Sequence, residues 1–264
     1  MLMNTIYHIP GCPCRLALLA DSHNKDMSSA LASLRAHRPD IICISGDFVY
    51  GNVPSTPGQP NLLKMEESIP AMNLLHGCAE IAPTFVSLGN HEWMLSPSDL
   101  DLIRSVGAVV LDNAWMTTVV DGKKIVIGGL TSARVTEYQS WRQTHPSSEL
   151  YPKPTARLST PPQPDLSWLD GFEAVPGYHV LLSHHPEYWP LLRSRFIELV
   201  LSGHAHGGQW RFFGRGVFAP GQGLWPRYTK GVYDGRFVVS AGLSNTTVVP
   251  RLWNPTEIVY LESS

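Results

Sequence analysis

The first half of the chain alternates short apolar runs with segments whose apolar residues recur at helical spacing. A short, continuously apolar run is typical of a strand that is buried on both faces. Asn24 is a candidate N-cap for the first helix, and Pro39 is expected to end it. The order strand, helix, strand, helix, strand predicts a mostly parallel sheet. The predicted strands are 15–20, 41–45 and 84–88, and the predicted helices are 25–37 and 62–78.

The second half has a different pattern, in which short β segments are separated by turns rich in Gly and Pro. Asp121-Gly122 lies between two of these segments and predicts a tight hairpin. The Pro-rich stretches 51–60 and 138–164 predict loops, and the longer one is expected to form a surface loop or cap near the functional site. The β segments are predicted at 109–111, 116–120, 124–127, 179–183, 196–201, 210–213, 236–240 and 257–261. Because no internal repeat is present, we expect one domain over 1–264.

Composition limits the classes of protein to which the chain can belong. Hydrophobic residues make up 43% of the 264 residues and charged residues 16%, which is enough for a sizeable core. The net charge of −2 without a Lys/Arg run argues against a surface for duplex nucleic acid. No stretch reaches the ~18 apolar residues of a membrane span, and residues 1–14 lack the pattern of a secretory signal. We therefore predict a cytoplasmic protein, with peripheral membrane association as the alternative.

The four cysteines do not form a recognisable metal or redox motif. Cys12 and Cys14 are separated by one residue rather than two, and no second pair matches them. Cys43 lies inside an apolar run, where a thiol packs as a small hydrophobic group. We predict that all of them, including Cys78, are reduced and structural.

The segment 203–209 is the strongest candidate for chemistry. It places His204 and His206 two residues apart between glycines, directly after an apolar run. In extended backbone, residues i and i+2 project from the same side, so both rings are expected to face one point. Neutral imidazole is the commonest metal ligand of proteins. The pair predicts a metal site, and the alternative is a solvated or packed pair of histidines.

Further candidate ligands follow other predicted strands. The carboxyl ends of parallel strands converge at one edge of a sheet, where sites of this fold class form. Each cluster alone could be a turn or a helix cap. Together they form a mixed nitrogen and oxygen ligand set, which predicts two transition-metal ions. The candidates are Asp21 and His23, Asp47, Asn90, His184, and His204 with His206.

Five short motifs resemble, in order, those of the calcineurin-like metallophosphoesterase superfamily: Asp21-Ser22-His23, Gly46-Asp47, Gly89-Asn90-His91-Glu92, Ser183-His184 and Gly203-His204-Ala205-His206. The segment 207–245 further resembles the YkuE/YaeI-like branch of that superfamily. The resemblance implies an α/β (α+β) fold in which a two-sheet β-sandwich is flanked by helices. This fold agrees with the mixed pattern of strands and helices along the chain.

The resemblance also implies a role for each motif residue. One divalent ion would be held by Asp21, His23, Asp47 and His206, and a second by Asp47, Asn90, His184 and His204. Asp47 would bridge the ions, and a hydroxide that also bridges them would attack phosphorus. His91 would be catalytic, facing the substrate together with Asn90, and would stabilise the transition state or protonate the leaving alkoxide. Manganese is the favoured metal, with iron or zinc as alternatives.

Two positions near the motifs need separate interpretation. Phosphoprotein-phosphatase relatives have an aspartate that orients the catalytic histidine, whereas this chain has Tyr50 there. Either the Tyr50 hydroxyl, a backbone carbonyl or water orients His91, or His91 is a weaker acid. His185 is predicted to be a solvated loop histidine beside the ligand His184. The remaining histidines are given structural or surface roles: His8, His37, His76, His145 and His179.

The resemblance therefore predicts a metal-dependent hydrolase of a phosphomonoester or phosphodiester, acting on a small or lipid-linked substrate. One alternative is a pyrophosphatase of the UDP-2,3-diacylglucosamine type, and another is a metal-binding scaffold with little turnover. Four tryptophans are predicted near the rim of the site, where they could contact a planar or apolar group, and core packing is the alternative for each. They are Trp93, Trp141, Trp210 and Trp225.

Overall fold

The continuously apolar runs of the sequence form the central strands of two sheets. The computed structural model describes residues 2–50, 62–144 and 161–264. The strands are β1 (Leu2–Ile9), β2 (Leu16–Leu19), β3 (Ile41–Ser45), β4 (Thr84–Ser87), β5 (Val109–Leu111), β6 (Ala114–Val120), β7 (Lys123–Leu130), β8 (Tyr178–Ser183), β9 (Leu199–Ser202), β10 (Arg211–Phe212), β11 (Arg215–Gly216), β12 (Phe218–Ala219), β13 (Gly223–Leu224), β14 (Gly231–Tyr233), β15 (Phe237–Val239) and β16 (Thr256–Ser263). Strands β2, β3, β4 and β9 are buried along their whole length.

Helices and 3-10 turns connect these strands. The α-helices are α1 (Ser28–His37), α2 (Ile69–Ile81), α3 (Pro97–Ser105), α4 (Ala133–Thr144), α5 (Leu169–Glu173) and α6 (Trp189–Leu192). The 3-10 turns are Leu62–Lys64, Glu66–Ser68, Asn90–Met94, Pro186–Tyr188 and His206–Gly208. None of the helices in the described ranges is both long and apolar enough to cross a membrane.

Each of the two large sheets has six strands. The first has the order β1-β16-β2-β3-β4-β5, in which only the β16–β2 pair is antiparallel. The second has the order β14-β15-β9-β8-β7-β6 and is parallel from β15 to β7. Strands β10–β11 and β12–β13 form two small hairpins. The predicted fold class, two sheets flanked by helices, is confirmed.

The core lies in three layers, because each sheet is apolar on both faces. Leu18 and Cys43 of the first sheet pack against Ile127 and Leu182 of the second. The outer face of the first sheet packs on α1 and α2. The outer face of the second packs on α5 and α6. All four cysteines are free, as predicted, and three of them are buried.

The carboxyl ends of the central strands of both sheets meet at one place. The Nδ1–H of His184, just after β8, donates to the carbonyl of Ser45 at the end of β3, with 2.6 Å between the two atoms. The Ser45 hydroxyl in turn donates to the carbonyl of Leu201 in β9, at 3.0 Å. These contacts join the two sheets where the candidate ligands follow their strands.

Several sequence-based boundaries were wrong. Helix α1 begins at Ser28, and Asn24 has a left-handed backbone (φ 57°) instead of capping the helix. The predicted helix 62–78 is two 3-10 turns followed by α2, because Pro70 is tolerated only in the first turn of a helix. Strand β9 begins three residues later than predicted, at Leu199, and Phe196 is exposed.

Two other segments differ from the predictions. Strand β1 was not predicted at all, and it pairs along its whole length with β16. The predicted loop or cap at 138–164 is helical at its start, where α4 continues to Thr144. The rest of that prediction up to residue 160 and the whole of the predicted loop 51–60 lie outside the described residues.

Candidate metal centre

Five of the seven candidate ligands lie on left-handed backbone. The φ angles are 58° at Asp21, 48° at His23, 54° at Asp47, 65° at His204 and 46° at His206. Left-handed backbone is uncommon outside glycine, although Asp and His adopt it more often than most residues. The prediction that the last two histidines face one point from extended backbone was therefore wrong. Their rings belong to two different clusters.

The first cluster contains Asp21, His23 and His206, whose ligand atoms all lie within 4.8 Å of one another. The Asp21 Oδ1 atom is 3.7 Å from the Nε2 atom of His23 and 3.7 Å from the Nε2 atom of His206. The backbone N–H of His204 donates to the Asp21 carboxylate, which fixes its orientation. Asp21 follows β2 and His206 follows β9, so this cluster joins the two sheets.

The second cluster contains Asp47, His184 and His204, all of them buried. The Asp47 Oδ2 atom lies 3.0 Å from the Nε2 atom of His184. Because His184 donates from Nδ1 to the carbonyl of Ser45, its Nε2 atom carries a lone pair in the neutral ring. Two acceptor atoms at this separation repel unless a proton or a cation lies between them.

Asp47 connects the two clusters. Its Oδ2 atom also lies 3.9 Å from the Nε2 atom of His23 and 3.9 Å from the Nε2 atom of His91. Its Oδ1 atom accepts from the backbone N–H of His91 at 2.8 Å. Burial alone would raise the pKa of Asp47, but His184 and His91 hold that pKa well below its usual value. One ionised carboxylate oxygen therefore faces both clusters.

The residues of the two clusters fit a pair of metal ions. Several of their buried polar atoms have no hydrogen-bond partner, namely both ring nitrogens of His23 and the Nε2 atom of His184. The Oδ1 atom of Asn90, which follows β4, is also buried without a partner. Leaving such atoms unpaired is costly unless something is bound to them. Two ligand atoms bound to one ion at about 2.1 Å each lie roughly 3–4 Å apart, and the separations given above are in this range. Carboxylate, imidazole and amide ligands together suit transition metals.

Glu92 supports the turns that carry the ligands. Its carboxylate is fully buried and accepts from three backbone N–H groups: those of Gly89 (2.6 Å), Asp47 (2.8 Å) and Val49 (3.2 Å). Burial, with a contribution from the charge of Asp47, raises the pKa of Glu92 to about 8. The sequence identified Glu92 only as part of a motif, because nothing local shows that one side chain joins the turns after β3 and β4.

Gly89 is required by the close approach of the Asp47 carboxylate. A Cβ atom at this position would lie 2.3 Å from the Asp47 Oδ1 atom and 3.0 Å from the Glu92 Oε2 atom. The φ of Gly89 is −83°, which any residue can adopt. The reason for glycine here is therefore space beside a ligand, not backbone conformation.

His91 lies at the opening of the site and keeps 22% of its side chain exposed. Its ring stacks on Tyr50 with 5.3 Å between the ring centroids and 22° between the planes. Tyr50 therefore contacts His91 through its ring face. Burial lowers the pKa of His91 to about 3, although Asp47 opposes this shift. His91 also lies within ligand distance of His23 and Asp47, so the geometry allows it to be a ligand as well.

His185 is buried, so the prediction of a solvated loop histidine was wrong. Its exposed fraction is 1%, and its Nε2 atom is 2.8 Å from the hydroxyl of Ser132. Its Nδ1 atom is 3.7 Å from the Oε2 atom of Glu187. The ring also packs on His204, with 4.4 Å between the centroids. Its contacts with Ser132 and His204, which are distant in sequence, bury the ring, so no local pattern indicated that it is buried.

Arg251 was also missed by the sequence. One of its Nη atoms lies 3.1 Å from the Nδ1 atom of His206, and the other donates to the carbonyl of Ala241 at 2.7 Å. Because a guanidinium only donates, the Nδ1 atom of His206 accepts in this arrangement. The Arg251 charge also helps burial to lower the pKa of His206 to about 4. Arg251 is more than forty residues from the nearest motif, so no local signal identifies it.

The other histidines lie away from the clusters. His179 is buried and its Nδ1 atom is 2.9 Å from Glu198, which agrees with a structural role. His37 stacks on Tyr260, and His8 and His76 are exposed. His145 is outside the described residues. Among the predicted rim tryptophans, Trp210 and Trp225 are exposed and Trp93 and Trp141 are half-buried.

Fold and site together define an α/β two-sheet sandwich with His/Asp clusters suited to metals at the carboxyl ends of its strands. Residues 14–208 match the Calcineurin-like phosphoesterase family, and the chain belongs to this family. It is 25% identical over 243 residues to the uncharacterized protein YpbG of Bacillus subtilis, covering 91% of this chain and 77% of that protein.

The chain is also similar to one protein and one solved structure whose names state an activity. Phosphodiesterase YaeI of Escherichia coli is 25% identical over 212 residues, covering 76% of this chain and 63% of that protein. Among solved structures, a dimetal phosphatase from Danio rerio aligns with 14% identity and a TM-score of 0.47, covering 86% of this chain and 87% of that one. Membership of the YkuE/YaeI-like branch stays a prediction.

Proposed function

We propose that this chain hydrolyses a phosphomonoester or phosphodiester with the help of two divalent metal ions. The observation that carries this proposal is the position of the Asp47 Oδ2 atom, 3.0 Å from His184 and 3.9 Å from His23. A carboxylate oxygen that faces two ligand clusters is the feature expected of a bridging ligand. The family supports hydrolase activity of this kind.

Each cluster would hold one ion. Asp21, His23 and His206 would hold the first, His184, His204 and Asn90 the second, and Asp47 would contact both. Two such ions would activate water for attack on phosphorus and offset the negative charge that develops on the phosphoryl group. The donor set favours transition metals, and manganese is our first choice.

His91 would act at the substrate. With a pKa lowered to about 3 by burial, its ring is neutral at neutral pH and can donate one hydrogen bond. Stacking on Tyr50 holds the plane of the ring. We propose that His91 donates this hydrogen bond to the phosphoryl group or to the leaving oxygen, which stabilises the transition state.

The similarity to the phosphodiesterase YaeI favours a phosphodiester. We therefore expect faster turnover of bis-p-nitrophenyl phosphate than of p-nitrophenyl phosphate, with small or lipid-linked diesters as natural substrates.

Hydrolysis of these two compounds tests the proposal directly. The protein would be stripped with chelator, reloaded with manganese, iron or zinc, and measured for bound metal and for release of p-nitrophenol. We expect two ions per chain and turnover that disappears with the ions. Two bound ions without hydrolysis of either compound would instead favour the scaffold alternative.

A further inference from the structure

Exposed apolar side chains are concentrated in one segment that follows the metal centre. The described part of the chain has seventeen large hydrophobic residues that are exposed, and ten of them lie between residues 210 and 253. Phe213 is fully exposed (105%), and Trp253 is 71% exposed. An exposed apolar patch of this kind marks an interaction surface more often than single scattered residues do.

These residues form a continuous surface rather than separate points. The rings of Phe212 and Trp253 are in contact, with 5.0 Å between their centroids. Trp210 forms a β-bridge with Leu252, and the indole N–H of Trp210 donates to the carbonyl of Pro250. Phe213 lies in the turn between β10 and β11, next to Phe212. We call Trp210, Phe212, Phe213, Leu252 and Trp253 the aromatic surface.

Positive charge accompanies the aromatic surface. Residues 203–255 contain six Arg or Lys and one Asp, whereas the whole chain has a net charge of −2. Lys230 pairs with Glu257 and Arg251 faces His206, so the cations next to the aromatic surface are Arg211 and Arg215 of the β10–β11 hairpin. The single acid, Asp234, accepts a hydrogen bond from the indole of Trp189. Arg215 is exposed and pairs with Phe212 across the β10–β11 hairpin. Arg211 and Arg215 therefore flank the exposed rings of Phe212 and Phe213 on one hairpin.

The aromatic surface is tied to the metal centre. The loop that carries Leu252 and Trp253 begins with Arg251, which contacts the ring of His206. It ends with Asn254, whose side-chain amide donates to the His206 carbonyl at 2.7 Å. Whatever binds the aromatic surface is thus held within a few residues of a candidate metal ligand.

We propose that the aromatic surface docks onto the headgroup region of an anionic lipid bilayer. Trp suits this region because its ring is apolar and its N–H is polar, and Phe adds an apolar ring that can enter the acyl chains. Basic residues next to them are attracted by anionic lipids. A second copy of this chain is a poorer occupant, because two surfaces of the same positive charge repel each other. The exposed ring of Phe213 in the β10–β11 turn also suits insertion into a bilayer better than contact with a flat protein surface.

Co-sedimentation with vesicles tests this proposal without requiring turnover. The vesicles would be phosphatidylcholine with about 30 mol% phosphatidylglycerol, and pure phosphatidylcholine. We expect the wild-type chain to bind the anionic vesicles, and binding to weaken when salt rises from about 0.1 to 0.5 M. The double variant Phe213→Ser/Trp253→Ser should bind about tenfold or more weakly, because two apolar side chains are lost from the lipid contact.

Phe196→Ser is the matched control. Phe196 is 83% exposed but lies outside the aromatic surface, so its loss should leave vesicle binding unchanged. Thermal unfolding and bound metal would show that each variant is folded, and hydrolysis of a water-soluble diester should be the same in all three proteins. The proposal is overturned if the wild-type chain does not bind anionic vesicles or if the control loses as much binding as the double variant. It is equally overturned if the wild-type chain is a dimer in solution and the double variant is a monomer.

Discussion

A single methyl group added at Gly89 should disable the metal centre while leaving the fold in place. The Cβ atom of Gly89→Ala would lie 2.3 Å from the Asp47 Oδ1 atom, about 1 Å closer than the roughly 3.5 Å of ordinary non-bonded contact. The φ of −83° suits alanine, so no backbone strain is added. The added methyl group therefore acts on Asp47, through its carboxylate and also through its backbone N atom, which would lie 2.7 Å from the Cβ atom.

The carboxylate cannot move away without loss. The Asp47 backbone N–H is held by Glu92, and the Oδ1 atom is held by the His91 N–H. We expect overpacking to destabilise the metal-free protein by about 1–3 kcal/mol. A shift of about 1 Å in the bridging carboxylate should lower the hydrolysis rate by about 100-fold or more.

Three measurements check this prediction: urea unfolding in chelator, bound metal, and hydrolysis of bis-p-nitrophenyl phosphate. Gly77→Ala is the control, since Gly77 lies in α2 outside the candidate metal centre and its Cβ would lie 2.7 and 2.8 Å from the two methyl groups of Leu31, whose side chain would have to shift. That variant should lose about 1–3 kcal/mol by overpacking, offset in part by its gain in helix propensity, and should keep its two ions and its rate. If Gly89→Ala also keeps two ions and the wild-type rate, the assignment of Asp47 is refuted.

Three further predictions address the ligands and the titrating groups. Asp47→Ala should lose both ions and all hydrolysis, and a variant that still holds two ions by elemental analysis would contradict the bridging role. His91→Ala should keep both ions and turn over about 10²- to 10⁴-fold more slowly; loss of one ion would show that His91 is a ligand instead. In chelator, the free energy of unfolding should fall between pH 7 and pH 9. Burial lowers the pKa of His184, but the charge of Asp47 outweighs burial and raises that pKa to about 10. Burial raises the pKa of Glu92 to about 8. The folded state therefore holds protons that the unfolded state has lost, and stability declines as these protons leave. Urea unfolding at several pH values would contradict this if stability rose.

Local sequence was sufficient for the central strands and for the residue types of the site. Runs such as 41–45 are apolar without interruption, and buried parallel strands have this property regardless of their partners. The ligand candidates could be predicted because they directly follow such runs. Asp121-Gly122 also forms the predicted hairpin turn, with both residues at positive φ.

The division into two sheets and the edge pairing could not be predicted in this way. Strand β16 lies between β1 and β2, which are separated from it by about 240 residues of sequence. Strand β1 is half-exposed and mixed in composition, so it becomes a strand through its pairing with β16. Pairings of this kind depend on tertiary contacts that leave no periodic pattern within either segment.

The supporting residues of the site were missed for a similar reason. Glu92 acts by hydrogen bonds to backbone groups far away in sequence, and Arg251 contacts the ring of His206, which is also distant in sequence. The burial of His185 results from its contacts with Ser132 and His204. The left-handed backbone of the candidate ligands was not predicted. The glycines next to them in the sequence were the expected positions for positive φ angles, but five of the candidate ligands adopt such angles as well.

The left-handed turns make the metal centre easy to lose during evolution. Glycine adopts such φ angles freely, whereas His23 and His206 adopt them at some cost. Replacement of either histidine by glycine would remove a ligand and relax the backbone in one step. Natural selection for folding alone would therefore not preserve these histidines, and a lineage released from its substrate would keep the two sheets while these candidate ligands disappeared.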